Sequence, residues 1–163
     1  MSAIRLIVGL GNPGTQYEGT RHNAGAFFVR RLAEQFGLPL AADRNALGES
    51  ARGLIAGHDI RLLIPETFMN ESGRSVAAMS RYYRIDPGAI LIAHDELDIP
   101  AGESRFKYDG GHGGHNGLRD IIPALGGHRD FWRLRIGIGH PGSGKNVSAW
   151  VLSKAPAEDQ TSI

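Results

Sequence analysis

Several polar residues of types useful in acyl chemistry fall in loops that follow apolar runs. Asn12 and His22 come after Ile4–Leu10, Asn70 after Ile60–Ile64, and Asp95 after Ala89–Ala93, while Asn116 lies in the glycine-rich stretch Gly110–Gly117. Among these, His22 alone has an unperturbed pKa, about 6.5, that suits a general base at neutral pH. A carboxylate such as Asp95 orients an imidazole and stabilises its charged form. The three asparagines offer uncharged donors and acceptors to a carbonyl or amide. Each residue also has a plainer use: Asn12 before Pro13 makes a turn, Asn70 or His22 caps a helix, and Asp95 accepts loop amide hydrogens. Their shared position at strand ends, among glycines that permit close approach, favours the chemical reading. On the residues alone that reading stops at a hydrolase or binding site of unknown substrate.

Three other motifs point elsewhere and fail on context. Gly9-Leu10-Gly11-Asn12-Pro13-Gly14 spells a dinucleotide fingerprint after a strand, but helical periodicity begins only past His22, so no helix N-terminus opens at the third glycine. Gly139-His140-Pro141-Gly142-Ser143-Gly144-Lys145-Asn146 is one residue from a P-loop. Asn146 there replaces the hydroxyl residue that would hold magnesium, although Lys145 could still meet a phosphate. His112 and His115 stand three apart, yet no cysteine or Glu-bearing helix completes a tetrahedral set. No metal and no cofactor is expected.

The elements that must position these residues follow from periodicity. Ile4–Leu10 and Ala89–Ala93 are short, wholly apolar runs, as in strands covered on both faces. Ala24, Phe28, Leu32 and Phe36 form a helical stripe closed by Gly37. Gly53–Ala56 and Ile60–Ile64 flank Gly57-His58-Asp59 as a hairpin-like pair, and a helix is expected from Ser72 to Tyr83. Trp132–Ile138 alternates like a strand, with short helices expected before it to Leu125 and after it over Val147–Leu152. Strands separated by helices predict a single-domain three-layer α/β/α sandwich on a mixed, mostly parallel twisted sheet, whose ligands sit beyond the strand C-termini.

Composition sets the outer bounds. The chain has 163 residues, 41% apolar and 21% charged, which suits one folded domain over 1–163. The formal net charge is +1, so any polyanion site is local; Arg105–Lys154 carries eight basic and three acidic residues, a surplus of five. With no cysteine and no apolar run near the length of a membrane span, a cytoplasmic protein is expected.

In combination the chain resembles bacterial peptidyl-tRNA hydrolase. The resemblance rests on Gly9–Gly14, Tyr17 with Thr20–Gly25, Pro65 with Thr67–Gly73, His94–Asp98, Gly113–Arg119 and Arg133–Gly139, in family order. It implies hydrolysis of the ester between a peptide's C-terminal carbonyl and the 3′ end of tRNA, with His22 as the base that activates water and Asp95 supporting it. It further implies that Asn12 distinguishes blocked from free aminoacyl groups. Asn70 and Asn116 would bind the peptide and the 3′ end, Tyr17 and Phe68 line the cleft, and Lys107 and Arg135 contact a tRNA phosphate. The expected partner is peptidyl-tRNA, with the enzyme a monomer. The competing readings are a non-catalytic RNA-binding protein on the same fold and a metal-dependent hydrolase using His112 and His115. Two departures stand out: Asp43–Ser50 is polar where relatives often carry aromatics, and the chain is expected to lack the C-terminal helix opened by Pro156–Asp159.

Overall fold

The structure, a computed structural model, describes residues 3–142 and 146–154. The expectations on Lys145 and on Pro156–Asp159 lie outside these residues. Seven strands form one mixed sheet: β1 Leu6–Gly9, β2 Ala41–Asp43, β3 Gly48–Ile55, β4 His58–Pro65, β5 Ile90–Glu96, β6 Ser104–Tyr108 and β7 Trp132–Gly137. Their order is β2-β3-β4-β1-β5-β7-β6. The central strands β4, β1, β5 and β7 run parallel, and both edges are antiparallel. Helix α1, Ala24–Gln35, covers one face; α2, Ser72–Tyr82, and α3, Asn116–Ala124, cover the other, giving the expected three layers.

The apolar runs are continuous because each central strand feeds two cores. Leu6, Val8, Ile90 and Ile92 pack with Val76, Met79, Leu118 and Ile121 of α2 and α3. The alternate residues Ile7, Leu91 and Ala93 pack with Ala26, Val29 and Ala33 of α1. A slip of one residue would exchange the two sets between cores fitted to different side chains, at about 1–3 kcal/mol for each overpacked or underfilled position, which disfavours other registers. The same alternation carries past the apolar run: His94 shares the parity of Ile92, and Asp95 that of Ala93. Asp95 therefore emerges on the α1 face, beside the turn that starts α1.

Helix α1 is rotated from the expected stripe. Gly25, Val29 and Ala33 are buried, Phe28 and Leu32 are half-buried, and Phe36 is exposed. A Cβ on Gly25 would stand 2.1 Å from the Ala93 carbonyl oxygen, and one on Gly9 would stand 2.3 Å from that of Gly25. Backbone against backbone leaves no room beneath the helix axis for large rings, which move to its flanks.

Three edge features differ from expectation. The hairpin turns at Ala56-Gly57, both at positive φ (50° and 82°), so that Ile55 faces His58. That geometry matches the twist of the strands, but alanine is a weak signal for it. The polar segment Asp43–Ser50 closes a second hairpin: Asp43 accepts hydrogen bonds from the Ala46 N–H (3.1 Å) and the Ser50 hydroxyl (2.9 Å). Ala46 is buried and its carbonyl accepts from the Ser75 hydroxyl of α2. Strand β6, exposed throughout, pairs with β7 and adds the second antiparallel edge.

Candidate active site

His22 occupies a 3-10 turn, Arg21–Asn23, directly before α1 and is 8% exposed. Its Nδ1 lies 2.8 Å from Asp95 Oδ2. The other carboxylate oxygen, Oδ1, lies 2.7 Å from His115 Nε2. His115 is the N-cap of α3, and its Nδ1 accepts the N–H groups of Gly117 (3.1 Å) and Leu118 (3.3 Å). An Nδ1 that accepts leaves the proton on Nε2, so His115 donates to Asp95. With its own Nδ1 turned to Asp95, His22 has Nε2 as the atom able to take a proton.

Burial of Asp95 would raise its pKa, but the field and hydrogen bonds of His115 and then His22 reverse this and hold it well below the ordinary carboxylate range. Asp95 is thus an anion at neutral pH. His94 lies edge-on to His115, ring centroids 4.9 Å apart, and its Nδ1–H donates to the Asp95 carbonyl at 2.8 Å. Burial pushes the His94 imidazole down to about 3, His115 adds to the shift, and the Asp95 hydrogen bond opposes it.

His94 should leave a mark on stability. Below the usual histidine pKa of about 6.5 the unfolded chain takes up a proton that the folded protein refuses. Its share of stability is complete above that pH and falls by about 1.4 kcal/mol per unit as pH drops toward 3. Urea unfolding between pH 7 and 4 should show this slope, reduced by that amount in His94→Gln. Equal slopes in the two proteins would mean that His94 is not held neutral.

A cleft of about 400 Å³ opens in front of His22, lined also by Asn12, Phe68, Met69, Asn70, Glu71, Asn116 and, from the far side, Ser148, Val151 and Leu152. Five of the expected residues thus meet there, with Asp95 behind His22. Asn12 is fixed by a reciprocal pair with Asn23, 2.8 Å from its N–H and 2.9 Å to its carbonyl, and its Oδ1 accepts the Met69 N–H at 2.7 Å. The side-chain NH2 of Asn12 is what remains for a ligand. Asn70 and Asn116 stand at the starts of α2 and α3. These ends are locked because the Gly73 N–H donates to Asp120 at 2.7 Å, where a Cβ on Gly73 would meet the Asp120 carbonyl at 2.5 Å.

The remaining expected residues lie apart. Tyr17 is half-buried in the turn Thr15–Tyr17 and does not line this cleft. Lys107 on β6 is directly opposite Arg133 on β7, and Arg105 is opposite Arg135, so all four share one sheet face. Arg133 is buried and donates to the carbonyls of Gly110, Gly111 and Arg129. Arg135 is held by Glu96 at 3.0 Å. Lys107 and Arg105 are exposed.

A larger cleft, about 730 Å³, lies across Asn12 among Gly11, Gly14, Phe27, Arg30 and Pro65, and none of His22, Asn70 or Asn116 lines it. The smaller cleft has the chemistry. His112 and His115 do not form a pair: the Nδ1 of His112 accepts the Gly114 N–H at 2.9 Å while His115 serves α3 and Asp95. Among the described residues the one group of three close enough to hold a metal is His22, Asp95 and His115, with ligand atoms within 4.8 Å of one another. It could do so only by surrendering both imidazole–carboxylate hydrogen bonds.

Sequence reasoning missed His115 as a site residue, along with Asn23 and the wall from Ser148, Val151 and Leu152. For His115 a signal existed, since it directly precedes the helix that starts at Asn116. Imidazole is not among the usual capping side chains, so the spacing suggests metal ligation or a loop histidine that is solvated or bonded to backbone, and not a helix cap.

A family model described as Peptidyl-tRNA hydrolase matches residues 6–163. The chain is 59% identical over 163 residues to a peptidyl-tRNA hydrolase of Pseudomonas putida, covering all of this chain and 84% of that protein. It is 61% identical over 161 residues to one of Psychrobacter cryohalolentis, covering 99% of this chain and 82% of the other. The crystal structure of peptidyl-tRNA hydrolase from Acinetobacter baumannii superposes with a TM-score of 0.93 at 59% identity, covering 99% of this chain and 82% of that one.

Proposed function

Since the chain belongs to the peptidyl-tRNA hydrolase family and is an enzyme that hydrolyses peptidyl-tRNA, we propose that His22, Asp95 and the three cleft asparagines carry the reaction. Water beside His22 Nε2 attacks the ester carbonyl as the imidazole takes its proton. Asp95 accepts the Nδ1–H and stabilises the imidazolium. The tetrahedral intermediate places negative charge on the former carbonyl oxygen, where amide N–H donors from Asn12, Asn70 or Asn116 can meet it. Its collapse breaks the bond to the 3′ ribose oxygen, which recovers the proton from His22, leaving free tRNA and a peptide carboxylic acid that ionises by releasing its proton to solvent.

The observation that carries this reading is the buried His22–Asp95–His115 chain opening onto a cleft of side-chain amides. His115 supplies a second hydrogen bond to the buried anion without occupying His22. An ester is already activated, so one oriented water and one base, worth on the order of 10² to 10⁴, suffice. Side-chain amides pair with peptide N–H and C=O groups whatever the side chains, which gives broad peptide tolerance.

Every group invoked comes from a single chain, which supports action as a monomer, and a translation substrate supports the cytoplasm. No described helix is long and apolar enough to cross a membrane. The non-catalytic RNA-binding alternative is not supported, because similar proteins are hydrolases and the base and its carboxylate are both in place. The test is release of free tRNA from N-blocked aminoacyl-tRNA, compared with the unblocked form and repeated with chelator. Rapid release from the blocked form alone, unaffected by chelator, is expected; loss of activity with chelator would favour a metal.

The tRNA-phosphate role of Lys107 and Arg135 yields a further expectation. Lys107→Ala should weaken tRNA affinity and reduce the slope of log K against log salt by about 0.7 to 0.9. Arg135→Ala should do less, since Glu96 already neutralises much of its charge. Affinity titrations at several salt concentrations decide it: parallel lines for native protein and Lys107→Ala would remove Lys107 from the phosphate contact.

A further inference from the structure

Arg21 is a guanidinium only 7% exposed, and the reaction as derived makes no use of it. Its charged carbon lies 3.5 Å above the ring of Trp150. Its Nη1 donates to the Ser153 hydroxyl and lies within 3.5 Å of the carbonyls of Trp150, Ser153 and Lys154. Its backbone N–H donates to the Ser153 carbonyl at 3.0 Å, and Thr20 forms an antiparallel bridge with Lys154. Next along the chain, in the same turn, is His22.

What Arg21 holds is one wall of the cleft. Helix α4, Val147–Val151, is five residues long and ends in carbonyls without intrahelical partners. A single turn of this length has little stability of its own and depends on tertiary contacts. Those contacts are the packing of Trp150 and Val151 against the α1-side core, the Trp150 Nε1–H, which donates to the Gly139 carbonyl at 2.8 Å, and the guanidinium stacked on the same indole. A cation at a helix C-terminus is favourable, and a planar one can stack on an indole while its edge meets several acceptors. From this helix and the residue after it, Ser148, Val151 and Leu152 face His22, Asn70 and Asn116 across the cleft.

We propose that Arg21 is a positioning residue for peptidyl-tRNA hydrolysis, clasping α4 so that Ser148, Val151 and Leu152 stand at a set distance from His22 and close the peptide-binding side of the cleft. The proposal rests on the function given above. It assigns Arg21 to binding of the peptidyl group and not to proton transfer. Charge alone does not meet this role; the plane that stacks on Trp150 does.

Steady-state hydrolysis of N-blocked peptidyl-tRNA by the full chain tests it, using Arg21→Met, Arg21→Lys, Trp150→Leu and the double variant Arg21→Met with Trp150→Leu. Arg21→Met should raise KM about tenfold, the scale of one desolvated cation–aromatic pair, with kcat within about twofold by the same reasoning. Its pH profile and its affinity for uncharged tRNA should not move. Arg21→Lys should stay closer to Arg21→Met than to the native enzyme. Trp150→Leu should raise KM at least as far, since it also removes the Nε1–H bond to the Gly139 carbonyl, and the double variant should lose less than the product of the two, because the stacking contact is common to both. An unchanged KM in folded Arg21→Met overturns the proposal, as do multiplicative losses in the double variant or a fall in kcat with a displaced pH profile. If Arg21→Met does not fold, Trp150→Leu decides alone, and its unchanged KM is the contrary result. A native enzyme that releases no tRNA from blocked substrate would instead refute the function itself.

Discussion

Replacing His22 by alanine is expected to lower kcat by between about 10² and 10⁴, roughly 3 to 5 kcal/mol of transition-state stabilisation, while tRNA still binds. On the proposed mechanism the loss falls on kcat, because the imidazole would act on water in the transition state, whereas tRNA affinity would come from phosphate contacts elsewhere. The substitution also removes one of the two imidazoles bonded to the buried Asp95 anion. Some stability should therefore be lost with activity. His22→Asn separates the two effects, since its NH2 can donate to Asp95 but cannot serve as a base. Single-turnover hydrolysis together with thermal unfolding of both variants makes the check. Turnover within tenfold of native in either folded variant would remove His22 from the mechanism.

Asp95→Asn should be nearly as damaging, for a reason set by His115. The His115 Nδ1 is committed as an acceptor to the α3 backbone, so its Nε2–H must find an acceptor at residue 95. In the variant the amide oxygen would turn to His115 and the NH2 would turn to His22. His22 Nδ1 would then have to accept, its proton would move to Nε2, and no lone pair would face the water. A tautomer reversed in this way costs about 10⁴ in a serine protease whose triad aspartate is changed to asparagine. A loss of similar order is expected here, with the fold retained. Nitrogen chemical shifts of the His22 ring would report the tautomer directly. If Asp95→Asn keeps a tenth of native kcat, or its His22 ring retains the proton on Nδ1, the proposed division of protons is wrong.

Much of the site could be read from local pattern. Ile4–Leu10, Ile60–Ile64 and Ala89–Ala93 read as strands from their apolar pattern, which marks the loops after them, and these loops hold Asn12 and His22, Asn70, and Asp95 in turn. Lys107 comes only from family resemblance, because β6 has no buried face to give it a pattern, and Arg135 lies on a legible strand, β7, whose alternation says nothing of what the guanidinium would contact. The α1 stripe misled because rings are the strongest apolar signal in that segment, whereas the contact that decides the rotation is made by Gly9 and Gly25. A glycine carries no hydropathy to reveal that a backbone will press against it.

By itself the sequence determined the residue types and the parity that directs each of them. Once β5 is a strand of period two, Asp95 must point where Ala93 points, toward α1, and His22 waits at the start of that helix. Only the tertiary structure decided what completes the site. His115 reaches Asp95 from 20 residues away because its ring caps α3, and Arg21 meets Trp150 across 129 residues. Side-chain direction within a strand follows from local backbone geometry, which a short window of sequence contains. The separation between a helix end and a distant strand end follows from how whole layers pack, which no short window contains.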